Sequence, residues 1–157
     1  MSKSYMNKIR VYLNQSNNKG LKGYANDMNG AIYFSDGYSV IRLFDDSYVR
    51  KQRLEIMETF DRVRGYEHSI EKHFRNFENQ NFNQFTRVVD TIKEDNKCYN
   101  KYDENSKIRF DYTMILRITR IVGKNENVSI FTSKENENAI CIVGQYGVAF
   151  LLGCRVY

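Results

Sequence analysis

Residues 31–43 read AIYFSDGYSVIRL, two runs rich in β-branched and aromatic residues that flank the dipeptide Asp36-Gly37. Asp-Gly between such runs favours a tight turn, because the central residues of a hairpin turn need positive φ. The sequence therefore predicts a β-hairpin centred on Asp36-Gly37. The other elements are placed outward from it in both directions.

A helix is predicted before the hairpin, over residues 4–15. Its apolar face has helical spacing and consists of Tyr5, Ile9, Tyr12 and Leu13. Its opposite face is polar and consists of Lys3, Asn7, Arg10 and Asn14. A strand remains the alternative, because residues 9, 11 and 13 also alternate as apolar positions.

Two helices are predicted after the hairpin, over residues 45–65 and 66–77. Ser47 is the expected cap of the first. Its apolar stripe is Ile56, Met57, Phe60 and Val63, and the second helix carries Ile70, Phe74 and Phe77. Residues 85–93 are predicted as a short strand or helix, and residues 94–106 as a polar, exposed segment.

The last third of the chain predicts the order β-α-β-β-β. A strand over 107–110 leads into a helix over 111–122 that Asp111 can cap, and strands follow over 128–132, 139–143 and 148–156. The polar stripe of this helix is Thr113, Arg117, Arg120 and Lys124. Its steps of four, three and four repeat those of the first helix.

These elements predict one α+β domain in which an antiparallel sheet packs against helices. We divide it into a first module (1–44), a helical insertion with a polar loop (45–106) and a second module (107–157). The internal repeat lies in the order of the elements rather than in the residues.

The composition of the chain limits the kinds of partner and site that it can have. The chain has 157 residues and a net charge of +5, with its basic residues scattered, which is compatible with a polyanionic partner. The odd number of cysteines, Cys98, Cys141 and Cys154, with no pair in CxxC spacing, predicts reduced thiols rather than a disulfide framework or zinc site. There is no signal-peptide core and no run of roughly 20 apolar residues. A cytoplasmic protein without a membrane partner is expected.

The histidines and acidic residues do not occur at the spacings that metal binding or acid-base catalysis needs. His68 and His73 lie five positions apart, about 140° around a helix, whereas a two-histidine metal site uses spacings of three or four. The adjacent pairs Asp45-Asp46 and Asp103-Glu104 point apart and lie in polar surroundings. The sequence thus predicts a non-enzymatic protein without cofactor or metal. A Cys-His nucleophile is the open alternative, although Cys141 and Cys154 fall in strands predicted to be buried.

The order of the elements and two motifs resemble one domain of the bacterial DNA polymerase III beta sliding clamp. Residues 35–40, Ser-Asp-Gly-Tyr-Ser-Val, resemble the clamp's Thr-Asp-Gly-His-Arg-Leu, with Tyr38 and Ser39 replacing His and Arg. Residues 148–156 resemble its closing strand, which ends in Met-Pro-Met-Arg-Leu, with Gly153 replacing Pro. Residues 107–122 resemble its strand-then-helix unit.

The resemblance implies that two helices face double-stranded DNA and contact its backbone phosphates. The residues nominated for this role are Lys3, Arg10, Arg117, Arg120 and Lys124. It also implies a groove for partner peptides, formed by the two motifs. The residues nominated for the groove are Gly37, Tyr38, Val40, Cys154, Arg155 and Val156.

In the clamp those two motifs come from neighbouring domains, so a single-domain chain is expected either to need self-association to bring them together or to lack the groove. A ring around DNA uses six such domains and would require a homo-hexamer. We therefore expect a clamp-like module from a phage or other mobile element that has given up the ring and acts on DNA or the replication machinery. The alternative is a protein-interaction or inhibitor module that targets a host protein without binding DNA, with residues 45–77 as its surface.

Overall fold

The computed structural model describes residues 4–16 and 19–155. Its α-helices are α1 (Tyr5–Leu13), α2 (Ser47–Thr59), α3 (Glu67–Glu78) and α4 (Tyr112–Val122), and a 3-10 turn covers Lys19–Leu21. Its strands are β1 (Ala25–Asn26), β2 (Ile32–Ser35), β3 (Ser39–Leu43), β4 (Gln84–Thr86), β5 (Asp90–Glu94), β6 (Lys97–Lys101), β7 (Ile108–Asp111), β8 (Val128–Ser133), β9 (Asn136–Gly144), β10 (Gly147–Leu152) and β11 (Cys154–Arg155).

The strands form two antiparallel sheets, which confirms the predicted α+β class. The larger sheet has the order β1-β2-β3-β10-β9-β8-β4, and the smaller has the order β11-β7-β6-β5. The predicted hairpin is present as β2–β3, with Phe34 opposite Ile41. At the centre of the larger sheet β3 pairs with β10, so the first hairpin and the last hairpin of the chain lie side by side.

The larger sheet buries side chains on both faces. Because successive residues of a strand point to opposite sides, Phe34 and Ile41 pack with α1, α2 and α4, whereas Tyr33 and Val40 pack with α3. Helix α4 also contacts β6 and β7 of the smaller sheet. It therefore joins the two sheets into one core.

Helices α1 and α4 each begin within one residue of the predicted position. Asp111 accepts a hydrogen bond from the backbone N–H of Thr113 and caps α4. The predicted cap of α2 is wrong by one residue, since Asp46 rather than Ser47 is the cap and accepts from the N–H of Tyr48. A carboxylate at this position also interacts favourably with the helix dipole.

Helix α2 is shorter than predicted, ending at Thr59 instead of residue 65. The backbone beyond it is extended and bonds with Tyr24, whose N–H donates to Asp61 O and whose carbonyl accepts from Val63 N–H. A Cβ built on Gly23 would lie 2.0 Å from Asp61 O, so this close approach needs glycine. A long-range backbone contact thus replaces the last helical turn.

The predicted polar segment 94–106 is wrong as an exposed loop. Strands β5 and β6 form a hairpin through Asp95 and Asn96, both with positive φ, and Asn100 and Tyr102 are buried. The ambiguous region 85–93 contributes β4 and the start of β5. One face of this hairpin is exposed, which is why its sequence is polar.

The predicted last strand, 148–156, is interrupted at Gly153. Strand β10 belongs to the larger sheet and β11 pairs with β7 in the smaller one. A Cβ on Gly153 would lie 2.5 Å from Ile108 Cγ2 and 2.9 Å from Arg109 O. Glycine therefore permits the chain to cross from one sheet to the other.

Replacing Ile118 should test the central position of α4. Ile118 is fully buried between the helices and the sheets. We expect Ile118→Ala to lower the free energy of unfolding by about 2–5 kcal/mol through lost burial and a residual cavity. Urea denaturation measures the change. The matched control is Leu54→Ala on α2, whose side chain is 67% exposed and should cost no more than about 0.5 kcal/mol. Equal losses from the two variants would contradict this picture of the core.

Candidate nucleic-acid interface and partner-binding cleft

Helices α1 and α4 pack side by side and run antiparallel. The hydroxyl of Tyr5, at the start of α1, donates to the carbonyl of Ile121, at the end of α4, over 3.1 Å. Tyr12, near the end of α1, instead contacts Ser39, which lies at the start of β3 and away from the end of α4. Each helix buries one face in the core and leaves the other toward solvent.

These two helices carry basic residues and no carboxylate. Helix α1 contains Lys8 and Arg10, and α4 contains Arg117 and Arg120, whereas neither contains Asp or Glu. We call the four residues Arg10, Arg117, Arg120 and Lys124 the basic face, which leaves out Lys8 because residues two apart on a helix point in different directions. Lys124, which is exposed, follows the C-cap of α4, Gly123. The nominated Lys3 lies outside the described residues.

The nominated cations differ in their surroundings. Arg10 is exposed, with its Cζ 5.9 Å from the centre of the Phe60 ring. Arg120 donates from Nε to Glu126 over 3.0 Å, so part of its charge is neutralised. Within the described residues, Arg117 and Lys124 have no carboxylate at ion-pair distance.

Arg10 and Arg117 lie at a similar height along the helix pair. Tyr5 and Ile121 are in contact, and Arg10 is five residues from the first while Arg117 is four from the second. At about 1.5 Å per residue in opposite chain directions, the two positions differ by little along the axis. The sequence places these two cations more than a hundred residues apart.

The tip of the β2–β3 hairpin is held by a buried carboxylate. Asp36 is 1% exposed, and its Oδ1 accepts from the N–H groups of Tyr38 (2.9 Å) and Ser39 (2.8 Å) and from the Ser39 hydroxyl (2.9 Å). The hydroxyl of Tyr12 lies 2.7 Å from that of Ser39. Since the Ser39 hydrogen goes to Asp36, Tyr12 donates to Ser39. Of the turn residues only Gly37 has positive φ, at 93°.

Burial governs protonation in this network. It raises the pKa of the Asp36 carboxyl, against the hydrogen bonds that favour its ionised form. Its other oxygen, Oδ2, is buried without a hydrogen-bond partner among the described residues. Burial, and then the nearby Asp36 charge, raises the pKa of Tyr12. Tyr12 therefore stays a donor, and the network fixes the position of helix α1 against the hairpin.

An apolar cleft of about 240 Å³ lies between this hairpin and α3, and we call it the hairpin cleft. The nominated residues Gly37, Tyr38 and Val40 line it. The remaining lining residues are Leu21, Ser35, Ser39, Tyr66, Ser69, Ile70, His73, Phe77 and Leu152. Tyr38 (51%), Tyr66 (40%) and Leu152 (42%) are the exposed large side chains at its rim.

The two clamp-like motifs meet within one chain. Leu151 is paired with Ser39, and the N–H of Leu152 donates to the carbonyl of Tyr38 over 2.9 Å. The expectation that self-association is needed to bring the motifs together is therefore wrong. The direct pairing of β3 with β10, which the sequence did not reveal, is the reason.

The rest of the nominated groove lies elsewhere. Cys154 and Arg155 belong to β11 in the smaller sheet, where Cys154 is opposite Arg109 and Arg155 donates to Glu137 over 3.4 Å. Neither lines the hairpin cleft, because the chain has crossed sheets at Gly153. Val156 lies outside the described residues. The α3 wall of the cleft was not nominated, since its apolar spacing predicts a helix but not a groove.

The structure also shows the surroundings of the cysteines, histidines and acidic residues that were candidates for a chemical role. Burial raises the pKa of the Cys141 thiol to about 12, which leaves it protonated and unreactive. Cys154 is exposed rather than buried as predicted, because β11 is an edge strand. His68 and His73 are both exposed on α3. Asp45 pairs with Arg50, while Asp103 accepts from the N–H of Asn105.

Comparison of the chain with protein-family models, with curated proteins and with solved structures found no match. The likeness to a sliding-clamp domain rests on the motifs and on the order of elements given above. No helix in the described part of the chain is long and apolar enough to cross a membrane.

Removing the Asp36 carboxylate should loosen the hairpin tip. We expect Asp36→Ala to lower the free energy of unfolding by about 1–3 kcal/mol, because two backbone N–H groups and the Ser39 hydroxyl lose their acceptor. Asp36→Asn is the matched control, since its amide oxygen can replace Oδ1, and should cost less. Urea denaturation at neutral pH compares the two. An Asp36→Ala protein as stable as the parent would show that the network is not a constraint.

Proposed function

We propose that this chain is a non-enzymatic module that binds double-stranded DNA through backbone phosphates at the basic face. The observation that carries the proposal is the antiparallel contact of α1 and α4, two helices with four basic residues and no carboxylate. Phosphates attract arginine and lysine regardless of sequence, and the release of counterions drives such binding.

The packing of the helices favours phosphate contacts over reading of bases. A recognition helix enters the major groove as a protruding element. Here α1 and α4 lie flat against the sheets, with Ile9, Ile118 and Ile121 all fully buried beneath them. A flat pair of helices can present side chains to the sugar-phosphate backbone. The sheets behind the pair prevent either helix from entering a groove of the DNA.

The resemblance to a sliding-clamp domain supports a role on DNA or in the replication machinery, and a phage or mobile-element source fits a module of this size. We propose that it acts without a closed ring. Three of the four sheet edges, β1, β4 and β11, are strands of two or three residues. Such short edges offer few backbone groups for pairing with another copy.

Reversing two charges on the basic face should weaken DNA binding. We expect Arg117→Glu with Arg120→Glu to reduce affinity for a labelled 20-base-pair duplex by roughly tenfold or more. Lost phosphate contacts should also lower the slope of log affinity against log salt by about one per contact. Fluorescence anisotropy at low salt and along a salt series measures both quantities, and circular dichroism verifies folding.

The matched control is Arg64→Glu with Arg87→Glu, two exposed arginines outside α1 and α4. It changes the net charge equally but should retain most of the affinity and the parent's salt slope. The DNA proposal fails if the parent protein shows no binding at low salt. It also fails if the two double variants lose affinity equally, because net charge alone would then account for binding.

The hairpin cleft favours a second function, a protein-interaction or inhibitor module that acts on a host protein. Its lining is mainly apolar, its rim carries Tyr38, Tyr66 and Leu152, and aromatic residues at a concave apolar site are typical anchors for a partner side chain. Helix α3, which lies within residues 45–77, forms one wall of the cleft, and this supports the alternative. The buried Ile70 and Phe74 pack α3 on the sheet, which leaves the cleft rather than the whole helix for a partner.

Under this second function, a substitution that introduces a charge into the hairpin cleft should abolish the complex with the host protein. Substitutions in the basic face should leave that complex intact. Leu152→Asp should lose the partner in a pull-down from host extract, because an ionised carboxylate in an apolar contact is costly to desolvate. The variant Arg117→Glu with Arg120→Glu should keep that partner. Retention by Leu152→Asp together with loss by the charge-reversed variant would exclude the cleft as the binding surface.

A further inference from the structure

Three tyrosines from distant parts of the chain, Tyr5, Tyr48 and Tyr146, are in ring contact, and we call them the tyrosine platform. Tyr48, at the start of α2, stacks on Tyr146, in the turn between β9 and β10, with ring centres 4.7 Å apart and planes inclined by 28°. Tyr5, at the start of α1, lies perpendicular to both rings, 5.5 Å from Tyr48 and 6.4 Å from Tyr146. None of the three belongs to the basic face or lines the hairpin cleft.

The tyrosine platform lies at the end of the helix pair where α4 finishes. The Tyr5 hydroxyl donates to the carbonyl of Ile121, and the N–H of Tyr146 donates to the carbonyl of Val122 over 2.8 Å. Val122 is the last residue of α4, and Lys124 of the basic face is two residues further along the chain. The rings therefore adjoin the end of α4 beside which Lys124 lies. A strand of nucleic acid that follows the basic face in this direction would reach them.

The three rings differ in exposure, and one of them is open to a ligand. Tyr5 is 5% exposed and belongs to the core, Tyr146 is half-buried, and Tyr48 is 37% exposed. Because Tyr5 is at similar distances from the two stacked rings, it lies beside the stack rather than over the outer face of Tyr48. Neither of the other tyrosines covers that outer face. Tyr48 therefore presents a ring that is held in place from behind and from the side.

Carboxylates near the tyrosine platform favour an uncharged group over a phosphate as its ligand. Asp46 caps α2 and acts electrostatically on Tyr5 and Tyr146. Asp45 is also close in the chain, although it pairs with Arg50 over 3.3 Å. A phosphate placed on the rings would be repelled by these carboxylates. A nucleobase carries no charge and has a flat π face, so it suits an aromatic ring in these surroundings.

We propose that the tyrosine platform receives an unpaired base of DNA bound at the basic face, with Tyr48 as the stacking residue. The preferred ligand is then duplex DNA that continues into a single strand. This inference rests on the proposed DNA contact and names its substrate class. Aromatic rings beside basic residues hold single strands of any sequence, because every base has a π face. A blunt duplex keeps its bases paired and stacked, and it offers none to a ring on the protein surface.

The preference is measured by fluorescence anisotropy on a labelled duplex that carries a short single-stranded overhang, placed in turn on the 3′ and on the 5′ end. The overhang consists either of thymidines or of the same number of abasic nucleotides, which carry equal phosphate charge but no base. We expect the parent protein to bind the thymidine overhang roughly fivefold more tightly than the abasic one for at least one polarity, as for one stacked base. A blunt duplex measures the contact at the basic face alone.

Tyr48→Leu should remove the preference for thymidine and keep the affinity for the blunt duplex, whereas Tyr48→Phe retains the ring and should keep the preference. The matched control is Tyr112→Leu, which removes a similarly exposed tyrosine (44%) at the opposite end of α4 and should change neither quantity. Circular dichroism verifies folding.

The inference is overturned if the parent binds thymidine and abasic overhangs equally, a comparison that needs no variant. It is also overturned if Tyr48→Leu keeps the preference or if Tyr112→Leu loses it to the same extent. In each of these outcomes, binding of the blunt duplex leaves the proposed DNA contact standing. An absence of binding to every one of these DNAs would instead overturn both proposals together.

Discussion

The burial of one face of α4 is the interaction on which the rest of the structure depends. Ile118 and Ile121 are fully buried, and the helix contacts α1, the larger sheet and the smaller sheet together. Each apolar side chain of this size contributes about 1.5–3 kcal/mol when removed from water. The β5–β6–β7–β11 sheet is also joined to the rest by the crossing at Gly153 and by the packing of Ile108 and Phe110 in the same core. The helix thus turns two sheets into one folded unit.

The same packing decides where charge is presented. Once α1 and α4 each bury an apolar stripe, their polar stripes must face solvent, and their antiparallel contact places Arg10 and Arg117 at similar heights. The sequence spacing alone fixes the phase of each stripe but not the distance between them. Arg120 shows the limit of the spacing argument, because a neighbouring turn supplies Glu126 as its counter-charge.

The two ends of the β2–β3 hairpin differ in structure for a physical reason. Its turn is rigid because a buried carboxylate accepts two backbone N–H groups, and this rigid turn forms one wall of an apolar cleft. Its other end opens beside Arg50 and Arg53 of α2. The central position of β3, between β2 and β10, keeps both ends fixed relative to the core.

The sequence by itself determined the local elements: the Asp36-Gly37 hairpin, helices α1 and α4, and the α+β class all follow from turn chemistry and apolar spacing, which act over a few residues. The prediction was wrong for residues 60–65, because hydrogen bonds with Tyr24 replace the last helical turn. It was also wrong for residues 94–106, because a half-exposed hairpin has too few apolar positions to show a strand pattern. Only the tertiary structure decided that β3 pairs with β10, that Gly153 carries the chain between sheets, and that the hairpin turn and α3 line one cleft. These outcomes depend on contacts between segments distant in the chain, where the choice of partner is set by the total burial of the core and not by any local pattern.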